Sequence, residues 1–313
     1  MCSAWVRNKL GKQVVAAGEA FDDKADACID RAFWLAGPVL VVVGFFLALL
    51  LYTVGTQFIL PAKQYSWEVD RACVFMAGLG LGNILFRYLF AVFTNPGTVS
   101  SRSYARLLSK RSDPAITEGG DAKHPMLKWR VCTVTGEVKP PRCHFDSVNR
   151  KLVLGFDHWC PWVFNSVGYG NYRHFVWLLV WVWALTLLGV VVTTDLVAER
   201  IKFGPGTSEG EWELQVLMII EFACCLGLNL AVGMLLSWHL YLVTSGQTSI
   251  DYLVLEGRRT KELTEFWNPF DLGSVYANVQ GALLSEGGGW WEVVIPPSPQ
   301  SFPYGKPFPT AEW

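Results

Sequence analysis

Four stretches of the chain stay apolar long enough to cross a membrane, and the polar segments between them set its organisation. Residues 32 to 62 carry no charge, 72 to 93 are interrupted only by Arg87, 175 to 194 carry none, and the run within 216 to 244 holds Glu221 as its one acid. A helix needs about 20 apolar residues to span a bilayer. The pattern predicts an all-α polytopic membrane protein of four transmembrane helices, paired as 32–93 and 175–244, with polar segments at 1–31, 94–174 and 245–313. Pro38 lies near the start of the first span, where proline is tolerated. Gly78, Gly80 and Gly82 would let another helix approach the second span closely. Arg87 is expected to snorkel to the headgroups, and Glu221 to mark the far interface, because a charge at mid-bilayer is costly.

Charge orients the spans. The loops 63–71 and 195–212 hold four Lys or Arg, whereas the N-terminal arm, the 94–174 loop and the tail together hold twenty-one. The positive-inside rule then puts both termini and the long loop in the cytosol. Span length leaves the ER, Golgi and plasma membrane all open. Fifteen tryptophans suit interfacial anchoring, and a net charge of -1 gives no basic face for nucleic acid. Eight cysteines at irregular spacing do not read as a disulfide framework, and reduced thiols are expected. The arm lacks the apolar core of a signal peptide. Phe21 to Phe33 reads either as a membrane-surface helix or as a solvated one, and Cys2 and Cys28 are juxtamembrane candidates for acylation.

The chemistry concentrates in Asp157-His158-Trp159-Cys160-Pro161-Trp162. A residue before proline is pushed towards extended geometry, and in an extended stretch residues two apart share a side. His158 and Cys160 can therefore meet while Trp159 points away. A thiol becomes a nucleophile as its thiolate, and an imidazole within reach can take the proton. Asp157 would hold that imidazole in one tautomer, but a flat strand puts it on the wrong side, so the role requires a bend. On these residues alone, a buried structural thiol beside a satisfied histidine is the competing reading.

The surrounding residues resemble the DHHC protein S-acyltransferases (palmitoyltransferases). The resemblance rests on Lys139-Pro140-Pro141-Arg142, the Asp157 to Trp162 run, Asn165, Val167-Gly168, Asn171-Tyr172-Arg173 and Phe175. Outlying matches are Asn95-Pro96-Gly97, Thr248-Ser249-Ile250-Asp251 and Asn268-Pro269-Phe270-Asp271-Leu272-Gly273 with Asn278. It implies a thioester relay through Cys160, with His158 as base and Asp157 orienting it, from long-chain acyl-CoA, palmitoyl-CoA above all, to cysteines of substrate proteins near the membrane. It further implies Lys139 and Arg142 at the CoA phosphates, Trp162 over the start of the acyl chain, and Asn95, Pro96, Gly97, Thr248, Ser249, Asp251 and Asn278 as supports. Phe175, Leu178, Leu179, Val182 and Leu185 form one stripe of the third span, either an acyl-cavity wall or a packing seam.

The departures concern metal. The family binds two zinc ions in this loop. Here Cys132 keeps its place, but the other ligand positions read Thr135, Phe145, Asp146, Asn149, Leu152, Trp159 and Ser166. Structural zinc takes four Cys or His donors, so neither set can be completed. A makeshift set from Cys132, Cys143, His144 and Asp146 has no accepted spacing. Phe145, Leu152 and Trp159 are expected to supply apolar packing instead, with no tightly bound cofactor. Two other classes stay open. An inactive adaptor would fit the lost ligands, and a small transporter would need paired ionisable residues at mid-bilayer.

Overall fold

Long apolar runs with no exposed partner for backbone groups must become helices, and the computed structural model has four of them. They are α1 (Trp34–Lys63), α2 (Trp67–Phe93), α3 (Tyr172–Phe203) and α4 (Glu209–Thr244). Residues 32, 34–98, 126, 130–203, 209–262, 268–284 and 289–294 are described. Cys2, Cys28 and the surface-helix reading of Phe21 to Phe33 lie outside them, Ala32 aside.

Helix α3 is central, packing along both α2 and α4. The main core joins Ile84, Tyr88 and Ala91 of α2, Phe175 to Leu179 of α3, and Leu236 and Val243 of α4 to Cys160 and Val163 of the loop. Helix α1 attaches where Phe45 stacks on Tyr88 at 4.6 Å, and its Lys63 pairs with Asp195 of α3 at the far end. The glycine expectation holds at one position of the three. A Cβ on Gly80 would lie 3.2 Å from Leu185, a Cβ on Gly78 only 3.8 Å from Tyr52, and one on Gly82 would meet nothing within 4 Å.

Within the long loop, residues 130–167 form short antiparallel hairpins. Strands β1 (Arg130–Val131) and β2 (Val138–Lys139) pair, as do β3 (Cys143–Asp146) with β4 (Lys151–Leu154), and β5 (His158–Cys160) with β6 (Asn165–Val167). Asparagines fasten them to the membrane helices. The last carbonyls of a helix have no partner within it; at the end of α2 the Asn165 amide donates to Ala91 and Thr94, at 3.1 and 3.0 Å, and Asn171 to Ala91 at 3.1 Å. Asn95 accepts from the N–H groups of Gly97 and Thr98, both at 2.8 Å. Gly97 stands at φ +107°, a region closed to most side chains. Its carbonyl then takes the Leu154 N–H at 3.0 Å, and that of Pro96 takes Gly170 at 3.0 Å.

Past α4 come α5 (Ser249–Glu262), α6 (Val275–Leu283) and a 3₁₀ turn (Trp290–Val293). Asn268 and Asn278 donate to Ser245 and Thr244, at 2.6 and 2.9 Å, and so close the end of α4. The 3₁₀ turn corrects the expectation for Arg87. That side chain is fully buried and donates to the carbonyls of Glu292 and Val293, so the turn supplies the acceptors that headgroups would have supplied.

Candidate active site

Strand β5 places His158 and Cys160 on one face, and Trp159 leaves on the other to meet Phe164 edge-on at 6.2 Å. His158 Nδ1 lies 2.8 Å from Asp157 Oδ2, and Cys160 follows two residues on along the same strand face. Asp157 stands just before β5, where its N–H donates to Val167 at 2.9 Å, and its carboxylate reaches the ring from there.

The Asp157 carboxylate is 1% exposed and sits at the start of α5. Ser249 donates its N–H to Oδ1 at 2.7 Å and its hydroxyl to Oδ2 at 3.0 Å. The helix start adds a favourable dipole for an anion. Burial alone would raise the acid's pKa, but the His158 hydrogen bond and charge, with Ser249, hold it below the usual carboxylate range. Burial likewise opposes charge on His158, yet its bonds to Asp157 and Cys160 prevail and raise it to about 9.

Thr248 and Asp251 lock the start of α5 by reciprocal bonds. Asp251 Oδ2 accepts from the Thr248 N–H at 2.9 Å, and Thr248 Oγ1 accepts from the Asp251 N–H at 3.2 Å. Arg142 completes the lock. It donates Nε to Asp251 at 2.9 Å and a terminal nitrogen to Gly246 at 3.2 Å, and its guanidinium lies 4.4 Å from the Phe270 ring centre. Arg142, expected at the CoA phosphates, is thus engaged inside the protein. Lys139 stands apart in β2, half-buried opposite Arg130.

Beneath Cys160 a cavity of about 410 Å³ opens between the four spans. Trp162 and Phe175 line its mouth, and Leu178, Leu179, Val182 and Leu185 its wall. Of the two readings of that stripe, the structure therefore gives a cavity wall. The α3 lining continues from Phe175 to Val192, roughly 26 Å at about 1.5 Å per residue. Tyr88, which sequence reasoning missed, donates to the Trp162 carbonyl at 2.6 Å and holds the mouth in shape. Gly55, in a π-helical turn of α1, and Glu221 form the far end. Glu221 is 4% exposed and lines this cavity, not the bilayer surface expected of it.

The residues in the zinc positions do not fit zinc. Ser166 donates its hydroxyl to Asp146, Asn149 donates to Ser166 at 2.9 Å, and Val148 N–H caps the other Asp146 oxygen at 2.9 Å. Cys132 and Cys143 instead pack with Leu152, Leu154 and Phe145. Alternation along β3 turns His144 and Asp146 to the side opposite Cys143, so the makeshift set does not assemble. Burial pushes the His144 pKa down to about 4. Among the described residues, only Asp157, His158 and His239 bring three such donor atoms within 4.8 Å of one another, and these belong to the reactive site.

A thiol, an imidazole and a buried carboxylate at the mouth of an apolar intramembrane cavity define a membrane-embedded thiol-nucleophile site. Comparison with known proteins agrees. The DHHC palmitoyltransferase family model matches residues 126–256. The Arabidopsis thaliana protein named "Probable protein S-acyltransferase 15" is 30% identical over 204 residues, 64% of this chain and 74% of that one. "Probable protein S-acyltransferase 16" of the same plant is 28% identical over 260 residues, 76% and 84% respectively. Palmitoyltransferase ZDHHC8 of Mus musculus is 28% identical over 262 residues, 83% of this chain and 32% of its own. The chain belongs to the DHHC palmitoyltransferase family.

Proposed function

We propose that this integral membrane protein is a protein S-acyltransferase in which Cys160 carries the acyl group. The observation that carries this reading is the Asp157–His158–Cys160 line set at the mouth of the cavity. In the first half-reaction the Cys160 proton rests on His158 and the sulfur bonds to the thioester carbonyl carbon. The bond from that carbon to the CoA sulfur breaks, and the departing sulfur takes the proton from His158. In the second, a client cysteine gives its proton to His158 and attacks the acyl-Cys160 carbonyl, and Cys160 leaves and is reprotonated. Each half-reaction exchanges one thioester for another, so the protein's task is positioning and water exclusion.

The cavity wall supports a long acyl chain. A sixteen-carbon chain with C–C bonds of about 1.5 Å extends roughly 19 Å, within the roughly 26 Å of lining along α3. Burying each methylene contributes about 0.8 kcal/mol relative to water. With the active loop on the cytosolic side, Lys139 is the cation for the CoA phosphates. The substrates are proteins with cysteines close to the membrane. The hydrogen-bonded and apolar clusters in place of zinc ligands support a loop that holds its shape without metal. Incubating purified protein with alkyne-tagged palmitoyl-CoA should give a hydroxylamine-labile adduct that Cys160→Ala abolishes. Equal labelling of Cys160→Ala would sink the reading.

A further inference from the structure

Resting on that reading, we infer that His239 of α4 is a positioning residue for the reaction, held in one tautomer by Tyr172 so that it presents an N–H to the Asp157 carboxylate. His239 is 1% exposed and lies on the last turns of a membrane span, yet it faces the reactive line. One of its ring nitrogens lies within 4.8 Å of both an Asp157 oxygen and a His158 nitrogen. Its ring centre is 6.0 Å from that of His158 and 5.1 Å from that of Phe175, which it meets edge-on. Its Nδ1 lies 3.1 Å from the Tyr172 hydroxyl.

Two physical points argue for this tautomer of His239. An ionised carboxylate has roughly four acceptor sites. On Asp157, Oδ2 receives the Ser249 hydroxyl and His158 Nδ1, whereas Oδ1 has the Ser249 N–H. Oδ1 therefore has capacity for one more donor, and a buried charge is stabilised by every donor it gains. A neutral imidazole has one N–H and one lone pair. If Tyr172 donates to Nδ1, Nε2 carries the hydrogen and turns a positive edge towards the carboxylate. The opposite tautomer would set a lone pair against that negative charge. Tyr172 thus selects the useful tautomer, and the side chain of Phe175 keeps the ring from swinging into the cavity.

His239 touches no reacting atom in this arrangement and acts through Asp157. It resists rotation of the carboxylate away from His158 as the proton moves between Cys160 and the imidazole. Loss of this N–H beside the carboxylate should slow the reaction on the order of tenfold or more.

The test uses the full chain in detergent and follows acyl-Cys160 formation with alkyne-tagged palmitoyl-CoA over a concentration series. His239→Phe should lower the saturated rate by about tenfold or more while leaving the half-saturating concentration unchanged. His239→Gln, whose amide can place an N–H near the same point, should recover most of the rate. Tyr172→Phe should fall between them, and it carries the test alone should His239→Phe unfold. A parent that labels while His239→Phe and Tyr172→Phe label equally fast would overturn the inference. So would equal losses in His239→Phe and His239→Gln at an unchanged melting temperature, since packing alone would then account for the residue. A parent that takes no label would overturn the acyl-transfer reading and this inference with it.

Discussion

The hairpin that carries Cys160 and the hairpin before it meet different demands. In β5–β6 a thiol and an imidazole stand beside a carboxylate, and Asp157 is tied to Ser249 across the fold. In β3–β4 the positions of the family's metal ligands hold Asp146, Asn149 and Leu152, and Asp146 reaches Ser166 of β6 by a hydroxyl hydrogen bond. That link joins the two hairpins, which is the mechanical service a shared crosslink gives. A nucleophile and its base need particular atoms at particular places. A crosslink needs only enough free energy, and more than one chemistry supplies it. Structural zinc in small peptides binds with roughly 10–16 kcal/mol, whereas hydrogen bonds to charged groups contribute about 1.5–3 kcal/mol each. The replacement is therefore weaker locally, and the asparagine anchors on α2 share the task.

The comparison can be broken most severely in the reactive hairpin. His158→Ala removes the proton carrier and should cut acyl-Cys160 formation by about 10²–10⁴-fold with the fold intact, as circular dichroism and melting would check. In the structural hairpin, Ser166→Ala strips a donor from the 1%-exposed Asp146 and should destabilise the loop by about 1.5–3 kcal/mol. Its rate at low temperature should stay near the parent's, which separates structural from chemical loss.

pH sharpens the same distinction. The folded pKa of His158, about 9, lies above the ordinary 6.5, so its contribution to stability is complete below pH 6.5 and is lost as pH rises through about 9. Melting temperature should therefore fall between pH 7 and 9.5 in the parent, and fall less in His158→Gln. The smallest effect belongs to the far end of the cavity. A Cβ on Gly55 would lie 3.0 Å from Glu221 Oε1, so Gly55→Val should shorten the preferred acyl chain. Discrimination should be about fourfold per methylene, read from competition among acyl-CoAs of different length.

The spans, their order and the Asp157 to Trp162 run were legible because both are local signals. The anchoring of Asp157 was not, because it comes from Ser249, 92 residues away. The engagement of Arg142 was hidden for a similar reason. A cation in a loop carries no local sign of Asp251, its partner 109 residues on. Arg87 and Glu221 were assigned to the bilayer surface because charge in lipid is costly. For Arg87 the protein interior meets that cost with carbonyls from a distant turn, and Glu221 is buried along the cavity instead. The hairpins escaped notice because strands of two to four residues leave too few positions for an alternation to show.

The central claim is that acyl transfer runs on Cys160 in a loop that needs no zinc. The direct measurement is acyl-Cys160 formation by purified protein whose metal content is determined, before and after dialysis against a strong chelator. The account predicts less than stoichiometric zinc and an undiminished hydroxylamine-labile adduct. Two zinc ions per chain, with labelling and fold lost on chelation and restored by zinc, would contradict it.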